Sequence, residues 1–167
     1  MGSHNYEAAY AEGHKQNEVV GKFLREQGIA CSVPELQIAE RPEEWANFTK
    51  SEKDIILSNG ETLEVKSINQ DFTASPSSFP LRQIIVDTVS GFEGKDQKPI
   101  GYIFVSKKTG AMLALSTARR DKWWVENKYD RFRDKNDNFY FAAAGELRTM
   151  KSLILHLIDR QNISDAA

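Results

Sequence analysis

The chain has 167 residues, 40% of them hydrophobic, which is enough for one compact domain with a buried core but not for two domains of ordinary size. No apolar run approaches the roughly 18 residues of a membrane-spanning helix, and the first residues lack the apolar region of a signal peptide. The single cysteine, Cys31, excludes a disulfide within the chain and a zinc site built from several cysteines. We therefore expect one domain over residues 1–167 in a reducing cytoplasm, with residues 1–5 disordered or left from a fusion tag.

The charge of the chain is unevenly distributed. The net charge is −2, but residues 1–64 carry 6 basic and 12 acidic side chains, whereas residues 95–135 carry 11 basic and 5 acidic ones. Cations alternate with aromatic residues in the basic part, and such stretches can neutralise phosphates and stack on bases. The equal alternative is a solvated helix with Trp123, Trp124 and Phe132 packed inward. The candidate DNA-binding residues are Lys107, Lys108, Arg119, Arg120, Lys122, Arg131 and Arg133.

The first element predicted is a helix over residues 5–27. Apolar residues recur at i,i+4 in this segment, and Gly28 is a typical helix stop. Glu18 lies beside the apolar stripe, where its carboxylate could face a metal ion; the alternative is an exposed glutamate paired with Lys22. A strand is predicted over residues 32–39.

The next segment, residues 40–52, is polar, with a short helical turn predicted over residues 43–48. Residues 69–78 are rich in Ser, Asp, Thr and Pro and are expected to form a flexible segment beside the hairpin that precedes them. The β-branched residues of 81–89 favour a strand, although their spacing also allows a helix. Asp87, inside that apolar run, is interpreted as a satisfied buried aspartate, with a further active-site acid as the alternative.

The most informative pattern is the hairpin itself, which carries an acid, a tight turn and an acid-x-lysine triplet. A two-residue loop would place Asp54 opposite Val65, with the carboxylates on opposite faces and the apolar pattern scrambled. A three-residue loop closed by Gly60 in the left-handed conformation places Asp54 opposite Glu64. Lys66 then shares the face of Glu64, because side chains alternate along a strand. The second register is predicted because it collects the apolar residues on one face: Ile55, Leu57, Leu63 and Val65.

The later elements complete a layered fold. Residues 100–106 and 111–116 predict a hairpin with a glycine-closed loop. Residues 123–133 predict a helix, residues 138–143 a strand, and residues 144–161 a helix with one apolar face. The predicted fold class is α/β, with α+β as the alternative, built as a central mixed β-sheet flanked by helices.

The hairpin residues resemble a known family. Asp54, a nine-residue spacer, Glu64, Val65 and Lys66 are similar to the motif of the PD-(D/E)XK nuclease superfamily, which has the restriction-endonuclease-like fold. Their spacing is similar to that of phage junction-resolving endonucleases within it. Glu18 matches the acidic residue that the family carries on an upstream helix. The specific resemblance covers the chain up to the end of the hairpin. The rest of the chain is similar to the family only in broad architecture.

This resemblance implies a metal-dependent deoxyribonuclease. Mg²⁺ or Mn²⁺ would be bound by the carboxylates of Asp54 and Glu64 and the backbone carbonyl of Val65. Glu18 would act on the metal directly, at a second metal, or through water. Lys66 would orient or activate the attacking water and stabilise the developing anionic phosphorane. Supporting contacts to phosphate would come from Ser67 and Gln83.

The substrate is constrained mainly by size. A chain of this length leaves no room for a separate sequence-reading domain, so cleavage of particular DNA structures or of DNA ends is favoured over recognition of a long site. A homodimer is also possible, because two-fold symmetric DNA matches two copies of a site. The sequence does not distinguish endonuclease from exonuclease action, or a DNA from an RNA substrate.

Two other function classes compete with a nuclease. The first is a non-catalytic DNA-binding subunit of a DNA-processing complex on the same fold, which the presence of all four catalytic residue types disfavours. The second is a small-molecule metallohydrolase, which would need histidine-rich ligation, whereas the chain has three histidines without HxxxH spacing. Lys53 stands where the family has a proline, but that proline has a positional and not a chemical role.

Overall fold

The computed structural model describes residues 4–36 and 52–166. The helices are α1 (His4–Glu26), α2 (Val89–Glu93) and α3 (Met150–Asp165). The strands are β1 (Cys31–Ser32), β2 (Ile55–Leu57), β3 (Thr62–Ile68), β4 (Gln83–Thr88), β5 (Gly101–Ser106), β6 (Met112–Ser116), β7 (Trp124–Asp130), β8 (Lys135–Ala143) and β9 (Arg148–Thr149). Short 3₁₀ turns occupy Pro76–Ser78, Thr117–Lys122 and Ala144–Glu146.

The strands form two sheets. The larger has six strands in the order β1-β2-β3-β5-β6-β9, and it is mixed because β3 runs parallel to β5 while the other neighbours are antiparallel. The smaller has three antiparallel strands in the order β4-β8-β7. A mixed sheet accompanied by helices is consistent with the predicted α/β class.

The six-stranded sheet is buried on both faces. Leu63 and Val65 of β3 pack with residues of α1 and α3 in one hydrophobic cluster. Tyr102 and Phe104 of β5 pack with residues of the three-stranded sheet in a second cluster. The layers are therefore helices, six-stranded sheet and three-stranded sheet, and any polar side chain on the second face lies between two sheets.

Several predicted elements are confirmed. Helix α1 covers residues 4–26, and Gly28 follows it with a φ of +87°. The β5–β6 hairpin lies where the sequence predicts it, closed by Gly110 with a φ of +74°. Residues 83–88 form a strand, and the strand predicted over residues 138–143 is longer, beginning at Lys135.

The helix predicted over residues 123–133 is wrong, because that segment is strand β7 and pairs with β8 along its whole length. Cross-strand packing outweighs the helical pattern: Trp124 stacks on Phe141, with ring centroids 6.1 Å apart. Trp123 is buried in the cluster between the sheets, as the helical alternative expects, but Trp124 is partly exposed and Phe132 is 81% exposed.

Other boundaries differ from the predictions. The last helix begins at Met150 and not at residue 144, because the Thr149 side chain accepts a hydrogen bond from the Ser152 N–H and caps it there. Of the strand predicted over residues 32–39, residues 33–36 are not strand, and residues 37–39 lie outside the described residues. The helical turn predicted over residues 43–48 also lies outside them.

The segment predicted to be flexible, residues 69–78, is tied down by hydrogen bonds. The Ser106 hydroxyl donates to the Gln70 carbonyl and the Thr109 hydroxyl donates to the Phe72 carbonyl, each over 2.6 Å. Phe72 itself is buried between the sheets. The segment thus packs against the β5–β6 turn.

No helix among the described residues is long and apolar enough to cross a membrane.

Candidate active site

The β2–β3 hairpin has the predicted register. Ile55 pairs with Leu63, and the Leu57 N–H donates to the Glu61 carbonyl over 2.8 Å, so the loop holds three residues. Gly60 closes it with a φ of +86°, in the left-handed region that favours glycine. As predicted, one hydrophobic cluster contains the four apolar residues Ile55, Leu57, Leu63 and Val65.

Glu64 and Lys66 lie on the opposite face of β3, toward the three-stranded sheet. Their neighbours on the parallel strand β5 are Tyr102 and Phe104, which are buried between the sheets. The Glu64 side chain is 14% exposed and the Lys66 side chain 33% exposed. The acid-x-lysine pair therefore sits in a largely desolvated space, where charges interact more strongly than in water.

Asp54 lies directly before β2, and two donors hold its carboxylate. The Val65 backbone N–H donates to Oδ2 over 2.8 Å, and the Asn17 side-chain amide donates to Oδ1 over 3.0 Å. Both donors are neutral, so they orient Asp54 without cancelling its charge. The negative charge of Asp54 therefore acts on the carboxyl group of Glu64.

Glu64 has an unusual protonation equilibrium. Its Oε1 lies 3.2 Å from the Lys95 ammonium and 3.8 Å from the Lys66 ammonium. Burial and the neighbouring charge of Asp54 nevertheless raise the pKa of Glu64 to about 7. Glu64 thus carries only part of its charge near neutral pH, and a further cation beside it would favour the ionised form.

Asp87 is buried at the same place by a bulge in β4. Ile84 and Val86 point into the cluster between the sheets, so strict alternation would turn Asp87 outward. The register with β8 shifts between Ile85 and Asp87, which makes Val86 an extra residue and leaves Asp87 only 9% exposed. Bulges of this kind re-aim side chains near functional sites.

The buried Asp87 carboxylate is fully hydrogen-bonded, as interpreted from the sequence. Tyr102 donates its hydroxyl to Oδ2 over 3.0 Å, and the Thr88 N–H donates to Oδ1 over 2.9 Å. Lys66 approaches Oδ1 at 3.5 Å. Burial and the Asp87 charge raise the pKa of Tyr102, so its hydroxyl stays protonated and remains a donor.

Lys66 remains a cation in this setting. Burial alone would lower the pKa of the Lys66 ammonium, but the carboxylates of Asp87, Glu64 and Asp54 together raise it above its ordinary value. An ammonium with a raised pKa donates hydrogen bonds and stabilises negative charge. It is poorly suited to take a proton from water at neutral pH.

Lys95 belongs to the site although sequence reasoning missed it. It lies between α2 and β5, in a polar segment without apolar periodicity, and its side chain is 12% exposed. Only the fold brings it to Glu64. Tyr102 was also missed, because a tyrosine in an apolar strand usually indicates core packing.

Three other candidates lie elsewhere. The Glu18 carboxylate is 3.7 Å from His14 Nδ1 and 62% exposed, and no contact with Asp54 or Glu64 is recorded in residues 4–36 and 52–166; helix α1 brings Asn17 to the site instead. Ser67 alternates with Lys66 and lies on the other face of β3. Gln83 donates its amide to Glu126 over 3.0 Å, at the end of β4 away from Asp87.

The predicted DNA-binding cations fall into three groups. Two occupy the β5–β6 turn, three follow β6 at the opposite end of that hairpin, about 17 Å away along the strands, and two lie between β7 and β8. Arg119 pairs with Glu146 at 2.6 Å, and Arg133 pairs with Asp130 at 2.9 Å. The exposed members that form no ion pair within the described part of the chain are Lys107, Lys108, Arg120, Lys122 and Arg131.

The donor set agrees with a magnesium site of limited protein ligation. Mg²⁺ commonly uses one or two carboxylates and completes its shell with water and phosphate oxygens. Asp54 and Glu64 provide two; burial first, and the charge of Asp54 second, raise the pKa of Glu64, and a divalent cation beside it would favour the ionised form. No group of three or more His, Cys, Asp or Glu side chains within the described ranges could hold a metal ion. The fit is with a two-carboxylate site and not with a cage of protein ligands.

Comparison with known proteins adds no relative. No protein-family model matches the chain, and neither does any curated protein or solved structure.

The three-residue loop can be tested with Gly60→Ala. A Cβ at Gly60 would meet no atom within 4 Å, so any cost comes from the φ of +86°. We expect the free energy of unfolding, measured by urea denaturation, to fall by about 1 kcal/mol. Gly145→Ala is the matched control, because that position is equally open but lacks a positive φ. Equal effects at the two positions would contradict the assigned loop.

The protonation of Glu64 can be tested with Glu64→Gln, which replaces the carboxylate by a neutral group of the same shape. Because the pKa of Glu64 is raised from 4.5 to about 7, its stabilising contribution is complete below pH 4.5 and is lost as the pH rises through 7. The free energy of unfolding of the variant should equal that of the wild type near pH 4.5. At pH 8.5 its free energy of unfolding should be higher, by at most about 3 kcal/mol.

Glu61→Gln on the same hairpin should behave in the opposite way. The hydrogen bond from the Arg160 guanidinium holds the pKa of Glu61 below its usual range, so the ionised form stabilises the fold above the unfolded pKa. This variant should be less stable than the wild type at pH 8.5, and the difference should shrink as the pH falls through the folded pKa. Urea denaturation across the pH range measures the free energy of unfolding of both variants. A change of the same sign at pH 8.5 in Glu64→Gln and Glu61→Gln would contradict the assigned electrostatics.

Proposed function

We propose that the protein is a metal-dependent nuclease that hydrolyses phosphodiester bonds of DNA, on a restriction-endonuclease-like fold of the PD-(D/E)XK superfamily. The observation that carries the proposal is the convergence of Glu64 and Lys66, on one strand, with the negative charge of Asp54. Perturbed protonation of a carboxylate beside a lysine, in a partly buried site, is typical of catalytic groups.

In this proposal Asp54 and Glu64 hold Mg²⁺ or Mn²⁺, with the Val65 backbone carbonyl as a further ligand. Both lysines approach Oε1 of Glu64, so a cation would be held through Oε2. The bound cation supplies charge neutralisation at the phosphate and lowers the pKa of a water molecule. Asn17 and the Val65 N–H orient Asp54 for this task.

Lys66 supplies a fixed positive charge to the reaction. Since its pKa is raised, it is an ammonium at neutral pH, so it orients the attacking water and stabilises negative charge that develops on the phosphate. Asp87 acts through Lys66 as a positioning residue, and Tyr102 in turn holds Asp87. Glu18 remains a predicted participant, which would have to act through water or a second cation from its exposed position.

The substrate in this proposal is a particular DNA structure or a DNA end. The cations after β6 support contact with DNA phosphates near Glu64. Glu64 neighbours Tyr102, which is one residue from the start of β5, and β6 ends beside that start. Arg120 and Lys122, which form no ion pair with the residues that the structure describes, therefore stand at the same end of the sheet as Glu64. A homodimer and a cytoplasmic location belong to the proposal as well.

The test is DNA cleavage by the purified wild type, Glu64→Gln and Lys66→Met, with supercoiled, linear, single-stranded and branched DNA in Mg²⁺, Mn²⁺ or EDTA. We expect metal-dependent cutting by the wild type and a loss of at least about 100-fold in each variant, since each removes a group that stabilises the transition state. Glu12→Gln, an exposed acid on α1, is the charge-matched control and should cut normally. Salt-sensitive DNA binding without cutting would favour a non-catalytic DNA-binding subunit, and wild-type cutting by Glu64→Gln would reject the assigned site.

The role of Asp87 has a separate readout in the pH–rate profile. Asp87 raises the pKa of Lys66, so Asp87→Asn should lower that pKa. Activity that needs the Lys66 ammonium should then be lost at lower pH than in the wild type, with kcat reduced about tenfold and KM little changed. An unshifted alkaline limb would mean that Asp87 has only a structural role.

A further inference from the structure

A cavity of about 240 Å³ lies where β5 begins and β6 ends, and helix α3 contributes to its wall. Its walls include Lys98, Arg120, His156 and Arg160, together with Thr117 and Ile100. The described residues that line it include no acidic side chain. A cavity with this lining attracts anions.

Neighbouring groups leave much of this positive charge uncompensated. Arg160 is neutralised by Glu61, because its Nε donates to the Glu61 carboxylate over 2.8 Å. Lys98 instead donates to two backbone carbonyls, those of Glu93 at 2.9 Å and Lys95 at 3.0 Å, which carry no charge. Arg120 forms no ion pair within the described part of the chain. Arg120 is therefore the cation that a ligand in the cavity can engage, while the Lys98 ammonium adds uncompensated positive charge nearby.

The cavity is also partly preorganised. The two carbonyls fix the Lys98 ammonium, which in addition lies 5.5 Å from the centre of the Phe92 ring. Arg120 presents a planar set of donors that suits the oxygens of a phosphate group. The volume is below that of pockets for drug-sized ligands, which favours a small anion or the end of a larger molecule.

We propose that this cavity binds a phosphate group, either of a small phosphomonoester or at the end of a nucleic acid. The proposal goes beyond the nuclease, because it requires no hydrolysis. The two sites are nevertheless linked through one short segment: Lys98 binds the Lys95 carbonyl, while the Lys95 ammonium contacts Glu64. A terminal phosphate held here would place the end of a strand next to the segment that carries both lysines.

The first experiment is calorimetric titration of the protein with inorganic phosphate at constant ionic strength, in EDTA. We expect saturable binding of one phosphate by the wild type and binding about tenfold weaker in Arg120→Gln, as for the loss of one charge-assisted hydrogen bond. Lys151→Gln, an exposed lysine on α3 outside the cavity, is the matched control and should bind like the wild type. Circular dichroism checks that each variant is folded. Absence of saturable binding, or unchanged binding by Arg120→Gln, would overturn the proposal.

The second experiment identifies the source of the phosphate. Fluorescence anisotropy in EDTA compares one single-stranded oligonucleotide with a 5′-phosphate and with a 5′-hydroxyl. Tighter binding of the phosphorylated strand, lost in Arg120→Gln, would assign the cavity to nucleic-acid ends. Equal binding of the two strands, with saturable binding of inorganic phosphate, would assign it to a small phosphate compound. Because neither assay involves cleavage, failure here is distinct from failure of the proposed nuclease activity.

Discussion

The pairing register of the β2–β3 hairpin is the constraint on which the site depends. Ile55 opposite Leu63 turns the apolar residues of both strands toward the helices and leaves Glu64 and Lys66 on the face toward the second sheet. A slip of one residue would exchange the two faces and bury charges among helices instead. The same apolar contacts that stabilise the fold therefore also assemble the candidate active site, and Gly60 makes the three-residue loop possible.

The second sheet gives these charges their properties. It covers the face that carries Glu64 and Lys66, so the charges are largely removed from water, and each must find a partner or change its protonation. Lys66 finds Asp87, which the bulge in β4 turns inward, and stays charged. Glu64 gains two lysines, but its burial and the charge of Asp54 outweigh them and its pKa rises. In the proposed function, Glu64 is one of the two carboxylates that would hold the metal ion.

Positive charge near this site is arranged at one end of β5 and β6, two central strands of the six-stranded sheet. Lys95 contacts Glu64 directly, and Lys98 and Arg120 line the neighbouring cavity. All three lie in connections between regular elements, on a framework of strands that positions them.

Local patterns determined much of this arrangement. Alternation along β3, glycine at the loop and apolar spacing in α1 predicted the hairpin register, the helix and the shared face of Glu64 and Lys66, because such patterns act over a few residues. Tertiary structure decided the rest. The residues of β7 have a helical pattern, and their pairing with β8 makes them a strand. Asn17, and not Glu18, contacts Asp54, because the orientation of α1 depends on packing across the whole sheet. Lys95, Tyr102 and the bulge at Asp87 carry no local signature, because contacts distant in sequence bring them to the site. Tyr102 neighbours Glu64 through the pairing of β3 with β5, Lys95 reaches Glu64 from the connection before β5, and Asp87 reaches Lys66 from the second sheet.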